Sequence, residues 1–312
     1  MYEEEIRALS VKILGEVEWI IGYAHGTLPF RARPFLCQKK EDVTQLTFNH
    51  FCGHNLVKYL LDRNAKERKV AIFAKACDVR AIMVLIRERQ VKRENLVIAG
   101  IPCYGMVDRK KLEEHFGSVR PSDFEWHLDS FTFRGKTMSI GPFLDATCQR
   151  CLHPNPPLYD YLVGQEVQYI PRERWNQNAL KKVDTLSREE RWTFFAGESK
   201  KCIRCYACRN ACPLCYCKEC FAEMQRPYWL SGAATPNENL LFHIGRSLHM
   251  AGRCVECGAC ERACPVGIPI ALLPCKVEEL IRENFDFEAG VNPDKEPPLL
   301  TYRENDPNEF IR

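Results

Sequence analysis

Eight of the eighteen cysteines fall into two runs of one spacing, Lys201–Pro213 (KCIRCYACRNACP) and Arg253–Pro265 (RCVECGACERACP). Each reads C-x2-C-x2-C-x3-C-P. In that spacing three thiolates curl round one corner of an iron–sulfur cube, and the fourth turns away to reach a second cube. Cys202, Cys205 and Cys208 are thereby expected to share one 4Fe–4S cluster with Cys264, and Cys254, Cys257 and Cys260 to share another with Cys212. Proline after the fourth cysteine lacks an N–H and resists continuing a helix, which turns the chain away from the cluster. A pair of zinc ribbons is the competing use of C-x2-C pairs. Zinc needs only four ligands per site, however, and gives no reason for the whole run to appear twice.

Four further cysteines, Cys77, Cys103 and the pair Cys148 and Cys151, are numerous enough to complete a third 4Fe–4S site. Two buried thiols beside a zinc or orphan pair would account for them equally well. Cys215, Cys217 and Cys220 do not close a tetrahedral site without a borrowed ligand and stay unassigned. Cys37 and Cys275 are expected as small buried hydrophobes. The eight histidines form no H-x3-H or HExxH pair, and no serine, histidine and aspartate order suggests hydrolysis.

The elements that must position these thiols follow from periodicity. Apolar residues from Ile6 to Ile21 recur at helical spacing and predict one helix over residues 3–21, ended by Gly22 and Gly26; the stretch 28–47 shows little period. LVKYLLDRN predicts a helix after Gly53 and Asn55. Val70–Ala74 predicts a buried strand, residues 75–78 a turn, Val79–Arg89 a helix and Leu96–Ile101 a second strand. Strand, helix and strand at this length make a βαβ unit, so KACD and GIPCYG both lie at the carboxyl ends of neighbouring parallel strands, where open α/β sheets place ligands. A hairpin is expected at 131–140 and a closing strand at 167–170. Ser187 through Glu190 forms a capping box opening a helix, and Thr235 through Glu238 supplies an N-cap, a first-turn proline and a capping glutamate for a helix through Met250. The expected organisation is an α/β domain with parallel strands over 1–186, a mainly α-helical two-cluster domain over 187–285, and an extended tail over 286–312 suited to wrapping a partner.

A chain of 312 residues has room for two such domains. The 46% hydrophobic and 27% charged composition is that of a water-soluble protein, and a net charge of +3 is too small to make nucleic acid or an anionic membrane the main partner. The opening MYEEEIRAL is acidic where a secretory signal is basic, and no apolar stretch is long enough to span a bilayer. A cytoplasmic location without membrane insertion is expected, and there eighteen cysteines are thiols available to metal.

KACDVRAIMVLI, GIPCYG, and CQRC followed by Asp160 and Gly164 resemble the β-subunit family of deazaflavin-reducing hydrogenases and formate dehydrogenases, over about Asn49 to Gly164. KCIRCYACRNACPLCYCKEC resembles the formate dehydrogenase branch. The connection of 41 residues between Cys212 and Cys254 is similar to the α-helical ferredoxin domains of succinate dehydrogenase and heterodisulfide reductase subunits. The resemblance implies an electron-transfer subunit that works with other redox subunits of a hetero-oligomeric complex and passes electrons to or from a soluble carrier. It also implies a third cluster on Cys77, Cys103, Cys148 and Cys151, and FAD. The family's glycine pair is replaced here by Cys52-Gly53-His54-Asn55, and its Ala-Asp-Ile-Ser-type run by Tyr159 through Val163. Gly53 and Asn55 at a helix N-terminus, with Lys75 as counter-charge, could still cradle the flavin phosphate. A helix cap and a snorkelling lysine would look the same. Other uses of the same residues are a self-sufficient flavoenzyme oxidising reduced deazaflavin or NAD(P)H, and a zinc-stabilised assembly module.

Overall fold

VAIFA and LVIAGI are unbroken apolar runs, and both become strands buried at every position, Val70–Lys75, which the lysine closes, and Leu96–Ile101. They pair in parallel from Val70 opposite Leu96 to Lys75 opposite Ile101. Continuous rather than alternating apolar character is what burial of both faces requires. The crossover helix is Ala76–Arg87, with Ala81, Ile82 and Leu85 fully buried. Burial of the two larger side chains contributes about 1.5–3 kcal/mol each. No turn intervenes at 75–78: the helix begins directly after the strand, which puts Cys77 in its first turn.

This computed structural model describes residues 1–62, 67–168 and 179–298, and the chain divides into two compact units, 1–178 and 179–312. In the first, a five-stranded sheet runs in the order Ala32–Cys37, Trp19–His25, Val70–Lys75, Leu96–Ile101, Tyr161–Leu162. The first pair is antiparallel and the others are parallel. The helix expected over 3–21 stops at Ile13, and Trp19–His25 is a strand whose Trp19, Ile20 and Ile21 pair with Val70, Ala71 and Ile72. Adjacent Ile20 and Ile21 are both buried, and a strand covered on both faces mimics the apolar density of a helix. Ala32–Cys37 escaped detection because Pro34 interrupts it; at the edge of a sheet a proline is tolerated. The closing strand is Tyr161–Leu162; Val167 and Gln168 are not strand, and 169–170 lie outside the described residues.

The expected hairpin is present as Ser130–Phe133 and Lys136–Ser139, joined by Arg134 and Gly135 at φ 49° and 77°; with Phe124–Trp126 it makes a small antiparallel sheet. Phe124 and Phe131 bury one face of it against Leu112, Phe143 and Leu144.

Among the described residues of the second unit there is no strand. Its helices are Ala179–Asp184, Arg188–Lys200, Ala207–Ala211, Pro236–His249, Ala259–Arg262 and Leu272–Phe285. Ser187 and Thr235 cap their helices as expected, accepting from the Glu190 and Glu238 amides. The Glu238 carboxylate does not bond back to its own cap amide; it accepts from the Ser231 amide at 2.6 Å. The segment 286–298 is neither helix nor strand, and the rest of the expected tail lies outside the described residues. Among the described residues no helix is long and apolar enough to cross a membrane.

Candidate functional site

The two cysteine motifs have the same backbone. Arg204 and Tyr206 in the first adopt φ of 50° and 59°, and Glu256 and Gly258 in the second adopt 55° and 70° at the same two places. Three of these four are not glycine, and a left-handed residue costs about 1–2 kcal/mol. Strain held twice at matching positions points to a local function. The left-handed residues turn amides inward, and the Arg204 amide donates to Cys202 Sγ at 3.4 Å; the Ile268 amide does the same for Cys264 Sγ.

The fourth cysteine of each run is placed beside the other run. Cys202 lies near Cys205 and Cys264, while Cys257 and Cys260 both lie near Cys212. Cys260 packs against the cluster that holds Cys208, so the two groups adjoin. Burial pushes the Cys208 and Cys257 thiols up to about 11 and raises Cys202, Cys254 and Cys260 as well. These thiols are therefore protonated until a metal displaces the proton, and loading releases protons. Cys212 differs: a hydrogen bond from Cys215, with Arg246 nearby, holds it below the usual thiol range. Among the described residues no three His, Cys, Asp or Glu side chains converge closely enough to grip a single ion. A cube offers a separate iron to each thiolate, and the wider cysteine groups with amides aimed at sulfur fit that donor set.

Each motif is braced by the helix that follows it. From Pro236–His249, the buried Asn239 donates to the Cys202 carbonyl at 2.7 Å, Glu238 pairs with Arg204 at 3.2 Å, Phe242 packs against Cys208, and Arg246 donates to the Cys208 carbonyl at 3.3 Å. From Leu272–Phe285, Glu278 accepts from the Cys254 amide at 3.2 Å and Arg282 pairs with Glu256 at 2.9 Å. Burial pushes the Glu278 carboxyl up to about 8. Sequence inspection passed over Asn239, Arg246 and Glu278. Their signal is a polar side chain on the apolar stripe of a helix flanking a cysteine run, as with Asn239, Phe242 and Arg246 at helical spacing. Of the unassigned cysteines, Cys215 bonds to Cys212 and Cys220 to Arg209, while Cys217 is exposed. Cys37 and Cys275 are fully buried, as expected.

In the first unit the carboxyl ends of the parallel strands carry Cys77 and Cys103. Gly105 (φ 108°), where a side chain would strike Leu144, lets the loop after the strand fold back so that its amide donates to Cys103 Sγ at 3.4 Å. The next amide, of Met106, donates to Cys148 Sγ at 3.4 Å, and Cys151 lies near Cys103. Burial pushes Cys103 up to about 11. Three of the four expected ligands are thus gathered by one loop, with Cys77 one helical residue beyond Ala76 on the adjacent strand's end.

The residues expected to hold a flavin phosphate do not fit one. Lys75 is 2% exposed, its ammonium 2.8 Å from Asp78 Oδ2 and 3.0 Å from the His54 carbonyl, and it also reaches the Tyr23 hydroxyl. Its charge is met inside the fold. The Asn55 side-chain oxygen accepts from the Val57 amide as a cap, and the element that follows Gly53 and Asn55 is a short 3-10 stretch, Leu56–Leu61.

The 4Fe-4S dicluster domain family matches residues 198–268, which include all eight motif cysteines. The chain is 26% identical over 307 residues to the F420-dependent formate dehydrogenase subunit beta of Methanocaldococcus jannaschii, covering 80% of this chain and 79% of that protein. It is 25% identical over 349 aligned positions to the F420-dependent formate dehydrogenase 1 subunit beta of Methanococcus maripaludis, covering 92% and 89%. The likeness is to formate dehydrogenase β subunits. A structure of the F420-reducing NiFe hydrogenase complex from Methanosarcina barkeri aligns over 47% of this chain and 58% of that chain, with a TM-score of 0.38 and 17% identity. The likeness to formate dehydrogenase β subunits extends across both units, whereas the dicluster family covers only the second. Cys77, Cys103, Cys148 and Cys151 lie outside that match.

Proposed function

We propose that the chain is the iron–sulfur electron-transfer subunit of an oxidoreductase complex of the formate dehydrogenase or hydrogenase kind, relaying electrons between a catalytic partner subunit and a deazaflavin carrier. The observation that carries this is the pair of cysteine motifs with one backbone, left-handed at Arg204 and Tyr206 in the first and at Glu256 and Gly258 in the second. When bound, a 4Fe–4S cube takes up and releases one electron at a potential set by charge, burial and hydrogen bonds to sulfur. The chain's own part is to hold the thiolates, aim the Arg204 and Ile268 amides at sulfur and keep water from Cys208 and Cys212. Cys205 is exposed, which supports electron exchange with a partner at that side of the first motif.

Cys77, Cys103, Cys148 and Cys151 are proposed as ligands of a third cluster, supported by the Gly105 and Met106 amides aimed at two of the sulfurs. No flavin role is proposed for Gly53, Asn55 and Lys75. Iron, acid-labile sulfide and flavin per chain, measured after anaerobic purification, test the proposal. About eight irons with matching sulfide are expected from the paired motifs and about twelve with the third site. Zinc without sulfide would overturn it in favour of an assembly module.

A further inference from the structure

Arg246 sits on the connecting helix at 5% exposure. Its Nη2 donates to the Cys208 carbonyl, and its Nε is buried with no partner. The groups that weigh most on it are thiols, Cys260 and Cys212 first, then Cys215 and Cys208. Its guanidinium also lies near the Cys215 and Cys260 thiols. His243, one turn earlier, is held neutral by burial and by Arg246 itself, so it adds no second cation. A guanidinium taken out of water is costly unless opposite charge accompanies it. Protonated thiols do not supply that charge; thiolates on iron do.

We infer that Arg246 is a positioning residue of the proposed relay, a buried cation bonded at the Cys208 carbonyl that raises the reduction potential of at least one of the adjoining clusters. The inference rests on the iron–sulfur proposal. Adding an electron makes a thiolate-bound cluster more negative, and a fixed positive charge in a poorly polarisable surrounding favours that state. The unpartnered Nε–H is available to a thiolate sulfur, and a hydrogen bond there would act in the same direction by stabilising the reduced form.

The test uses the full anaerobically purified chain, with iron and sulfide counted and potentials read by electron paramagnetic resonance during a dithionite titration. Iron-free wild-type protein would sink the parent proposal and leave Arg246 out of account. With wild type loaded, Arg246→Met is expected to keep its iron while one midpoint potential falls. The fall should correspond to at least a tenfold loss in the reduction equilibrium, about 59 mV for one electron. Arg246→Lys, which keeps the charge, is expected to move that potential by less than half as much. Unchanged potentials in a fully loaded Arg246→Met overturn the inference, as does an Arg246→Lys shift as large as that of methionine. If Arg246→Met does not load, Arg246→Lys decides: iron retained with a near wild-type potential supports the inference, and loss of iron there too overturns it, because the residue would then serve assembly alone.

Discussion

The two units place their cysteines in opposite relations to their cores. In the first, the core is hydrocarbon: the buried strands Val70–Lys75 and Leu96–Ile101, their crossover helix, and the aromatic packing of Phe116, Phe124, Phe131 and Phe143. Its candidate thiols stand at the sheet's edge. In the second, the thiols are much of the core: Cys208 is packed with Phe242, Ile268 and Ile270, and Cys202, Cys220, Cys260 and Cys264 close round them. A unit of this kind has little apolar surface to bury without its metal, and binding free energy becomes folding free energy. The difference separates a scaffold that carries thiols from one that is made by them.

Removing iron should break the comparison open first. Chelation under anaerobic conditions is expected to abolish amide exchange protection in Pro236–His249 and Leu272–Phe285 while Val70–Lys75 and Leu96–Ile101 stay protected; equal loss in both units would contradict the contrast. Next in size is Asp78→Asn, which leaves the buried Lys75 ammonium unpaired. It should cost the first unit about 3–5 kcal/mol in denaturant unfolding and leave iron in the paired motifs unchanged. A smaller effect is expected at His243, whose folded value is lowered from 6.5 to about 4, mainly by burial. Below the ordinary value the unfolded chain binds this proton and the folded chain does not. Stability present at neutral pH is therefore lost as pH falls from 6.5 toward about 4, by up to roughly 3 kcal/mol. His243→Leu should flatten that part of the second unit's pH profile, read by denaturant midpoints between about pH 7 and about pH 5. Smallest is Ser187→Ala, expected to cost about 1 kcal/mol by removing the cap on Arg188–Lys200.

What was legible in the sequence follows the same division. The βαβ core could be read because VAIFA and LVIAGI are pure apolar runs, and the hairpin because Arg134 and Gly135 separate alternating residues. Trp19–His25 could not, because Ile20 and Ile21 continue the helical spacing that starts at Ile6, nor Ala32–Cys37, because Pro34 at a sheet edge looks like a loop. Spacing alone pairs Cys264 with the first motif and Cys212 with the second. It gave no sign that Lys75 would turn inward to Asp78, since a lysine at a strand end reads as a surface charge. Arg246 was hidden for the same reason: one more basic residue near a helix end, until the burial of its face is known.

The exchange of fourth ligands between the motifs is the central claim, and iron content in a stripped background tests it most directly. With Cys202, Cys205 and Cys208 all changed to serine, one cube's worth of iron, about four atoms, should remain on the paired motifs once the first-unit cysteines are also replaced. Adding Cys264→Ser should leave that iron in place, whereas adding Cys212→Ser should remove it. Loss of the remaining cluster on changing Cys264, with Cys212 dispensable, would contradict the account.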